Sequence, residues 1–249
     1  MDLGLSGQVA IVTGGRSGIG AAIALGLAHE GCDVAVVDRV VDDRAREVAR
    51  GIEAVGRRAQ LLEADVRDFA AAEVVVGKVT KEFGRLDIVV GNAGTTADAF
   101  AWKMSEDQWD TVLDVNLKGC FAYARAAAPV LRERRRGRIV FIASINGLRG
   151  KAGQANYAAS KAGVIALGKT LARELGRSNV TVNIVAPGMV RTGMTEALPG
   201  EVVQRAVDET VLGRIATPED IADAVVFLCS ERARHVTGAV LRVDGGQDI

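Results

Sequence analysis

The chain has 249 residues, 49% of them hydrophobic and 25% charged, with 31 basic side chains against 31 acidic ones and a formal net charge of zero. This is the balance of a globular protein able to bury a sizeable core, and it gives no whole-molecule electrostatic basis for binding nucleic acid or a membrane surface. No leader-like segment and no apolar run of transmembrane length appears, so a cytoplasmic location is expected.

Short apolar runs alternate with longer helical patterns along the chain. The first predicted strand, residues 9–13, runs into a glycine-rich turn and a helix over 18–30. Gly14, Gly18 and Gly20, with Arg16, Ser17 and Ile19 among them, space as G-x-x-x-G-x-G. Glycines there let the chain turn tightly and let a pyrophosphate approach the backbone at a helix N-terminus. A second strand over 33–38 ends on Asp38, whose carboxylate suits both hydroxyls of an adenosine ribose and would repel a 2′-phosphate. NAD is therefore expected over NADP, against the pull of Arg16 and Arg39, which would favour a phosphate.

A helix over 41–55 leads to a third strand, 59–65, closing on Asp65 and Val66. After a helix over 70–83, the fourth strand, 87–94, closes on Asn92, Ala93 and Gly94. These are carboxyl ends of strands, where open α/β sheets bind ligands, although each residue singly also suits an ordinary turn. A long helical pattern over 105–134 carries Asn116 in its middle, a poor place for asparagine by propensity. It ends in the basic run "LRERRRGR". That run suits the negative end of a helix dipole as a solvated face, or an acidic carrier as a docking patch over 132–138.

The fifth strand, 138–144, ends on Ser144. A helix over 156–176 then carries Tyr157 and Lys161 at i and i+4, on one face. A free tyrosine titrates near pH 10 (about), and a neighbouring ammonium favours the phenolate, which would let Tyr157 give or take a proton near neutral pH. The sixth strand, 180–188, closes on Pro187 and Gly188. An irregular insertion over 189–213, opening with Met189, Val190 and Thr192, has the length of a lid or binding loop. The last helix, 218–229, opens with "TPED", with Thr217 as N-cap and Pro218 at the first helical position. A strand over 239–246 closes the series. Cys32, Cys120 and Cys229 lie far apart in apolar segments, fit no metal spacing and read as buried free thiols, so no metal is expected.

The strands are nearly continuous in Val and Ile, as strands covered on both faces are. The expectation is one α/β domain over 1–249, a single Rossmann-type doubly wound parallel sheet of about seven strands with helices on both faces.

Read together, "TGGRSGIG", "DV" at Asp65, "NAG" at Asn92, "VN" at Asn116, Ser144, "YAASK", and "PG" at Pro187 with Thr192 after it resemble the short-chain dehydrogenase/reductases over essentially the full length. Within that family "GQANYAASKAG", "VTVNIVAPGMVRTGMT" and the closing "VDGG" are most similar to the 3-oxoacyl-(acyl-carrier-protein) reductase group. The resemblance implies an NAD(P)-dependent oxidoreductase acting on CH–OH groups, with Asn116, Ser144, Tyr157 and Lys161 catalytic. By it, Tyr157 moves the proton, Ser144 orients the carbonyl oxygen and Lys161 also holds the nicotinamide ribose. Asn116 holds a water that relays protons to the lysine, and Thr192 and the backbone around Gly188 anchor the carboxamide. It further implies a homotetramer that buries the helices over 105–134 and 156–176, where Phe121, Ala124, Ala128, Ala158, Ile165 and Leu167 spread over more than one face. The chain departs from the reductase group in two places: that group usually uses NADPH, and it carries an arginine where Ser178 stands here.

The expected substrate contacts are Ser144, Ile145, Gln154, Tyr157 and Met189, within a mainly apolar set that adds Thr95, Thr96, Leu148, Arg149 and the rest of 189–198. Arg149 suits a substrate carboxylate or phosphate, or a solvated loop. The set suits a 3-oxoacyl or 3-hydroxyacyl thioester or a related hydroxy compound. An NAD-linked sugar, polyol or cyclic-alcohol dehydrogenase is the alternative, and a non-catalytic NAD-binding regulator the third reading.

Overall fold

A computed structural model describes residues 2–196 and 198–249. Met1, within the expected domain, and Ala197, within the expected lid, lie outside the described residues. The strands are β1 (Val9–Thr13), β2 (Asp33–Asp38), β3 (Ala59–Glu63), β4 (Ile88–Gly91), β5 (Gly137–Ile142), β6 (Val180–Pro187) and β7 (Val240–Val243). They form one 7-stranded parallel sheet in the order β3-β2-β1-β4-β5-β6-β7.

The helices are α1 (Gly18–His29), α2 (Asp43–Ala54), α3 (Phe69–Phe83), α4 (Glu106–Leu113), α5 (Gly119–Arg134), α6 (Asn146–Arg149), α7 (Ala155–Leu175), α8 (Gly193–Glu196), α9 (Gly200–Glu209) and α10 (Pro218–Cys229). The strands are apolar throughout because they supply two cores. Val9 and Ile11 enter one with α3, α5 and α7, whereas Ala10 and Val12 enter the other with α1, α2 and α10. That is the two-residue alternation of a pleated strand sandwiched between helix layers. Ile11, Ile139, Phe141 and Ile184 are each fully buried, and each such side chain contributes about 1.5–3 kcal/mol of transfer free energy.

Helix starts follow side-chain chemistry. Asp42 and Asp68 accept two backbone N–H groups each at the starts of α2 and α3. Ser105 with Gln108 and Thr217 with Asp220 form reciprocal capping boxes, the second with Pro218 in the first turn. Each cap is worth about 1 kcal/mol. Ser17, ahead of α1, makes no side-chain cap bond.

Two elements differ from the sequence reading. The pattern over 105–134 is α4 and α5 joined by a π turn, Asp114–Lys118, with Asn116 fully buried inside it. A wider turn explains how asparagine is tolerated there. The insertion over 189–213 is not irregular, since it holds α8 and α9. A helix as short as α9 is marginal by itself; it is held where Ala206 and Thr210 are buried, a long-range effect with no local signal. Among the described residues no helix is long and apolar enough to cross a membrane.

Cys32, Cys120 and Cys229 are buried and free. Burial pushes the Cys32 thiol up to about 12 and the Cys120 thiol to about 11, and moves Cys229 the same way. All three stay protonated near neutral pH and serve as packing groups. The basic run is largely spoken for within the chain. Arg134 pairs with the buried Asp87 at 3.3 Å, while Arg136 and Arg138 both reach Glu231, at 2.7 and 3.1 Å.

Candidate active site

The chain winds outward from β1 through β2 to β3 and returns to lay β4 beside β1. At this reversal the connections leave the two strand ends in opposite directions and open a crevice. A clip of hydrogen bonds holds its floor. Asn92 Nδ2 donates to the carbonyls of Thr13 and Gly14 at 3.0 and 3.1 Å, and Thr13 Oγ1 accepts the N–H groups of Asn92 and Ala93 at 3.0 and 3.2 Å. Asn92 thus holds the glycine turn and leaves its carboxamide no freedom to act as an ordinary turn residue.

The crevice is a cleft of about 600 Å³. It brings together every residue expected at the cofactor: Gly14, Arg16, Ser17, Gly18, Ile19, Gly20, Asp38, Arg39, Asp65, Val66, Asn92, Ala93, Gly94, Tyr157, Lys161, Pro187, Gly188, Val190 and Thr192. Ser144, Thr95 and Thr96 also line it. Thr195, from the expected 189–198 set, lines it too, and Arg44, Ala64, Arg67, Thr111, Val115, Ile142 and Ala143 line it as well and were not expected. Ala64 and Ala143 were within reach of strand-end reasoning, but Arg44 in the first turn of α2 and Arg67 in the loop after β3 owe their places to the tertiary fold.

The glycines are required by contact. Gly14 has φ +63, and a Cβ there would sit 2.8 Å from Ala93 Cα; a Cβ on Gly20 would overlap the Gly14 carbonyl oxygen and lie 2.5 Å from Asn92 Nδ2. The uncapped start of α1 presents its N–H groups to the same space, which suits a diphosphate. Asp38 is at the far end, its Oδ1 accepting the Arg39 N–H at 2.8 Å. Arg16 is drawn to Asp42 at 2.6 Å and stays 3.9 Å from Asp38. Arg67 grips Asp65 at 2.6 Å and holds its carboxyl below the usual carboxylate range. A bare-backbone cradle, an open helix end and a carboxylate at the end of β2 fit a dinucleotide.

At the other end Ser144 follows β5, and Tyr157 and Lys161 share one face of α7. Lys161 is buried, with Nζ donating to the Ile142 carbonyl at 2.8 Å and lying 5.6 Å from the centroid of the Tyr157 ring. An ammonium has three donors, so two remain for groups in the cleft. Ser144 Oγ accepts the Asn146 N–H at 3.1 Å, which leaves its own proton free to donate. Asn116 does not reach into the cleft with its amide. Its Oδ1 accepts the Thr95 N–H at 2.8 Å, and its Nδ2 donates to the Thr95 carbonyl at 3.1 Å and to Ser160 Oγ at 3.0 Å. It pins the loop beside Gly94, and any water relay there would rest on the main chain of the π turn.

Three expected substrate contacts lie outside the lining of the cleft. Ile145 turns into the core, 2% exposed, with its N–H on the Pro187 carbonyl at 3.0 Å. Gln154 is buried and committed, accepting from Asn146 at 3.0 Å and donating to Asp98 at 2.8 Å. The Met189 N–H donates to Gln247 Oε1 at 3.0 Å.

With this geometry in hand, likeness to known proteins is informative. A family model described as enoyl-(acyl carrier protein) reductase matches residues 14–248. A 3-oxoacyl-(acyl-carrier-protein) reductase of Thermotoga maritima is 41% identical over 242 residues, which are 97% of this chain and 98% of that protein. Its namesake in Staphylococcus aureus is 42% identical over 237 residues, 95% of this chain and 96% of that one. Nodulation protein G of Azospirillum brasilense is 41% identical over 97% of this chain and 98% of its own. A solved structure from Sinorhizobium meliloti 1021, described as a candidate short-chain alcohol dehydrogenase, superposes with a TM-score of 0.94 at 37% identity, covering 99% of this chain and 98% of that one.

Proposed function

The chain belongs to the short-chain dehydrogenase/reductase family and is an oxidoreductase of that family; from that premise we propose that it interconverts a 3-oxoacyl thioester and its 3-hydroxyacyl product with NAD(H). The observation that carries this reading is the single cleft, with Asp38 at one end and Ser144, Tyr157 and Lys161 at the other. Gly14, Gly18 and Gly20 would cradle the diphosphate, Asp38 the adenosine ribose, and Lys161 the second ribose. Pro187, Gly188, Val190 and Thr192 would flank the nicotinamide. When bound, that cofactor supplies or accepts the hydride, for which no side chain is equipped.

The chain's own residues manage the oxygen. The Tyr157 hydroxyl delivers its proton to the substrate carbonyl oxygen as negative charge develops there, or takes it back from the alcohol in the reverse direction. Ser144 turns its one free proton to the same oxygen and fixes its direction. Lys161, held by the Ile142 carbonyl, stays beside the phenol with its Nζ 5.6 Å from the ring centroid and has donors left for the cofactor ribose. Asn116 keeps the Thr95 loop in place at the side of the cleft.

Initial rates of acetoacetyl-thioester reduction, run in parallel with NADH and NADPH, test this. Turnover with NADH is expected. Turnover with NADPH alone would overturn the cofactor assignment and leave the acyl reading. Inactivity with both, alongside oxidation of a sugar or cyclic alcohol with NAD, would favour the second reading. Thr95, Thr96 and Thr111 in the lining of the cleft give that second reading its footing, because hydroxyl-rich substrates need polar partners.

Assembly as a homotetramer belongs to the same proposal. Ala124 and Ile165 are buried within the single chain, but Phe121, Phe227 and Leu241 stay exposed at 39%, 44% and 37%. Light scattering at micromolar concentration is expected to read about four times the 26.1 kDa chain mass; a monomer would refute it. Docking of an acyl carrier protein on the run over 132–138 has less to work with once Arg134, Arg136 and Arg138 are paired internally. A cytoplasmic location accords with the three reduced thiols, and cell fractionation checks it.

A further inference from the structure

Arg149 lies at the surface, outside the lining of the cleft. Its side chain, 29% exposed, reaches three separate segments of the chain. Nη1 donates to the main-chain oxygen of Gln247 at 3.1 Å, Nη2 to Glu209 Oε2 at 3.2 Å, and Nε to Asn146 Oδ1 at 3.4 Å. Gln247 closes the ring, its Nε2 donating to the same Glu209 oxygen at 3.1 Å while its Oε1 accepts the Met189 N–H at 3.0 Å. Gln247, and after it Arg149, hold the Glu209 carboxyl below its ordinary range, so the knot is charged near neutral pH.

The knot has a mechanical meaning. Glu209 ends α9, and Met189 begins the insertion whose Thr192, Gly193 and Thr195 line the cleft. The insertion is therefore fastened at both ends in one knot, Glu209 directly to the guanidinium and Met189 through Gln247, which also holds the C-terminal turn. On its other side Arg149 touches Asn146, whose main-chain N–H donates to Ser144 Oγ at 3.1 Å. One chain of hydrogen bonds thus runs from the serine hydroxyl to the last turn of α9. An ion pair this exposed adds little to stability. A planar fork with three acceptors in fixed directions is instead suited to setting position.

We propose that Arg149 is a positioning residue for the reaction: with Glu209 and Gln247 it fastens the insertion and the C-terminal turn to the loop that aims Ser144, so that seating the insertion beside the cleft and aiming the serine hydroxyl are one event. The proposal rests on the reading of Ser144 as the group that orients the substrate oxygen.

The test compares Arg149→Met, Glu209→Gln, their double variant and Arg149→Lys with the wild type in the full-length protein. Hydrogen exchange over 200–209 is measured without substrate, and kcat and KM are measured at saturating NADH. In Arg149→Met, exchange rises about tenfold and kcat/KM falls about tenfold, while NADH binding is unchanged. Glu209→Gln gives part of both effects, and the double variant is no worse than Arg149→Met because the two act as one unit. Arg149→Lys recovers only part, since an ammonium cannot span the three acceptors. Unchanged exchange in Arg149→Met overturns the proposal. Faster exchange with kcat/KM unaltered also overturns it, because the insertion would then be fastened without any link to the serine. A wild-type protein inactive on the thioester counts against the substrate reading alone; the same variants are then read on the alcohol it oxidises, and the exchange measurement needs no substrate.

Discussion

Tyr157→Phe is expected to lower kcat by about three orders of magnitude in both directions of the reaction while leaving NADH binding within about twofold. Removing the one positioned proton donor from a carbonyl reduction forfeits general acid catalysis, a term of about 10²–10⁴ in rate. Three orders correspond to about 4 kcal/mol of transition-state stabilisation. The substitution is conservative everywhere else. The ring remains beside Lys161 Nζ, 5.6 Å from its centroid, and Lys161 remains anchored to the Ile142 carbonyl. Ser144 keeps its bond from the Asn146 N–H and can still donate to the substrate oxygen, but an aliphatic hydroxyl is a far weaker acid than a phenol and does not replace it as proton donor. Stopped-flow rates with NADH, together with a fluorescence titration of NADH binding, separate the two effects. Retained turnover would remove Tyr157 from the chemistry and reopen the reading of the chain as a cofactor-binding regulator.

Asp38→Asn is expected to shift the ratio of kcat/KM for NADPH over NADH by about 10² toward NADPH. The carboxylate disfavours a 2′-phosphate by like-charge repulsion, which costs several kcal/mol at contact, and each 1.4 kcal/mol or so is tenfold. Asparagine keeps an acceptor for the Arg39 N–H, now 2.8 Å from Asp38 Oδ1, so the turn after β2 should hold its shape. The surroundings then become net basic. Arg16, 3.9 Å from Asp38, and Arg39 and Arg44 at the rim of the cleft lose one of the carboxylates that offset them there, while Asp42 still holds Arg16. Steady-state rates with both cofactors decide the matter. An unchanged ratio would mean that Arg16, although committed to Asp42 at 2.6 Å, or another group selects the cofactor, and that Asp38 is a strand-end turn residue.

The reach of the sequence in this protein follows the range of the forces involved. Strand and helix identities were legible because they depend on local periodicity: Val9 to Val12 alternate between two cores, and Thr217 with Pro218 starts α10 as its composition dictates. The glycine turn, Asp38 and the pair Tyr157 and Lys161 were legible for a related reason. Covalent spacing alone sets a glycine between strand and helix, a carboxylate at a strand end, and two side chains one helical turn apart. Tertiary structure decided what depends on residues distant along the chain. The wide turn at Asn116 is stabilised by Thr95 and Ser160, Ile145 is turned inward by its bond to Pro187, and Gln154 is spent on Asn146 and Asp98. The helix α9 and the knot at Arg149 join positions 149, 209 and 247, which only the finished fold brings within hydrogen-bond distance. A hydrogen bond acts over about 3 Å, and no pattern within a segment records which remote atom will arrive at that distance.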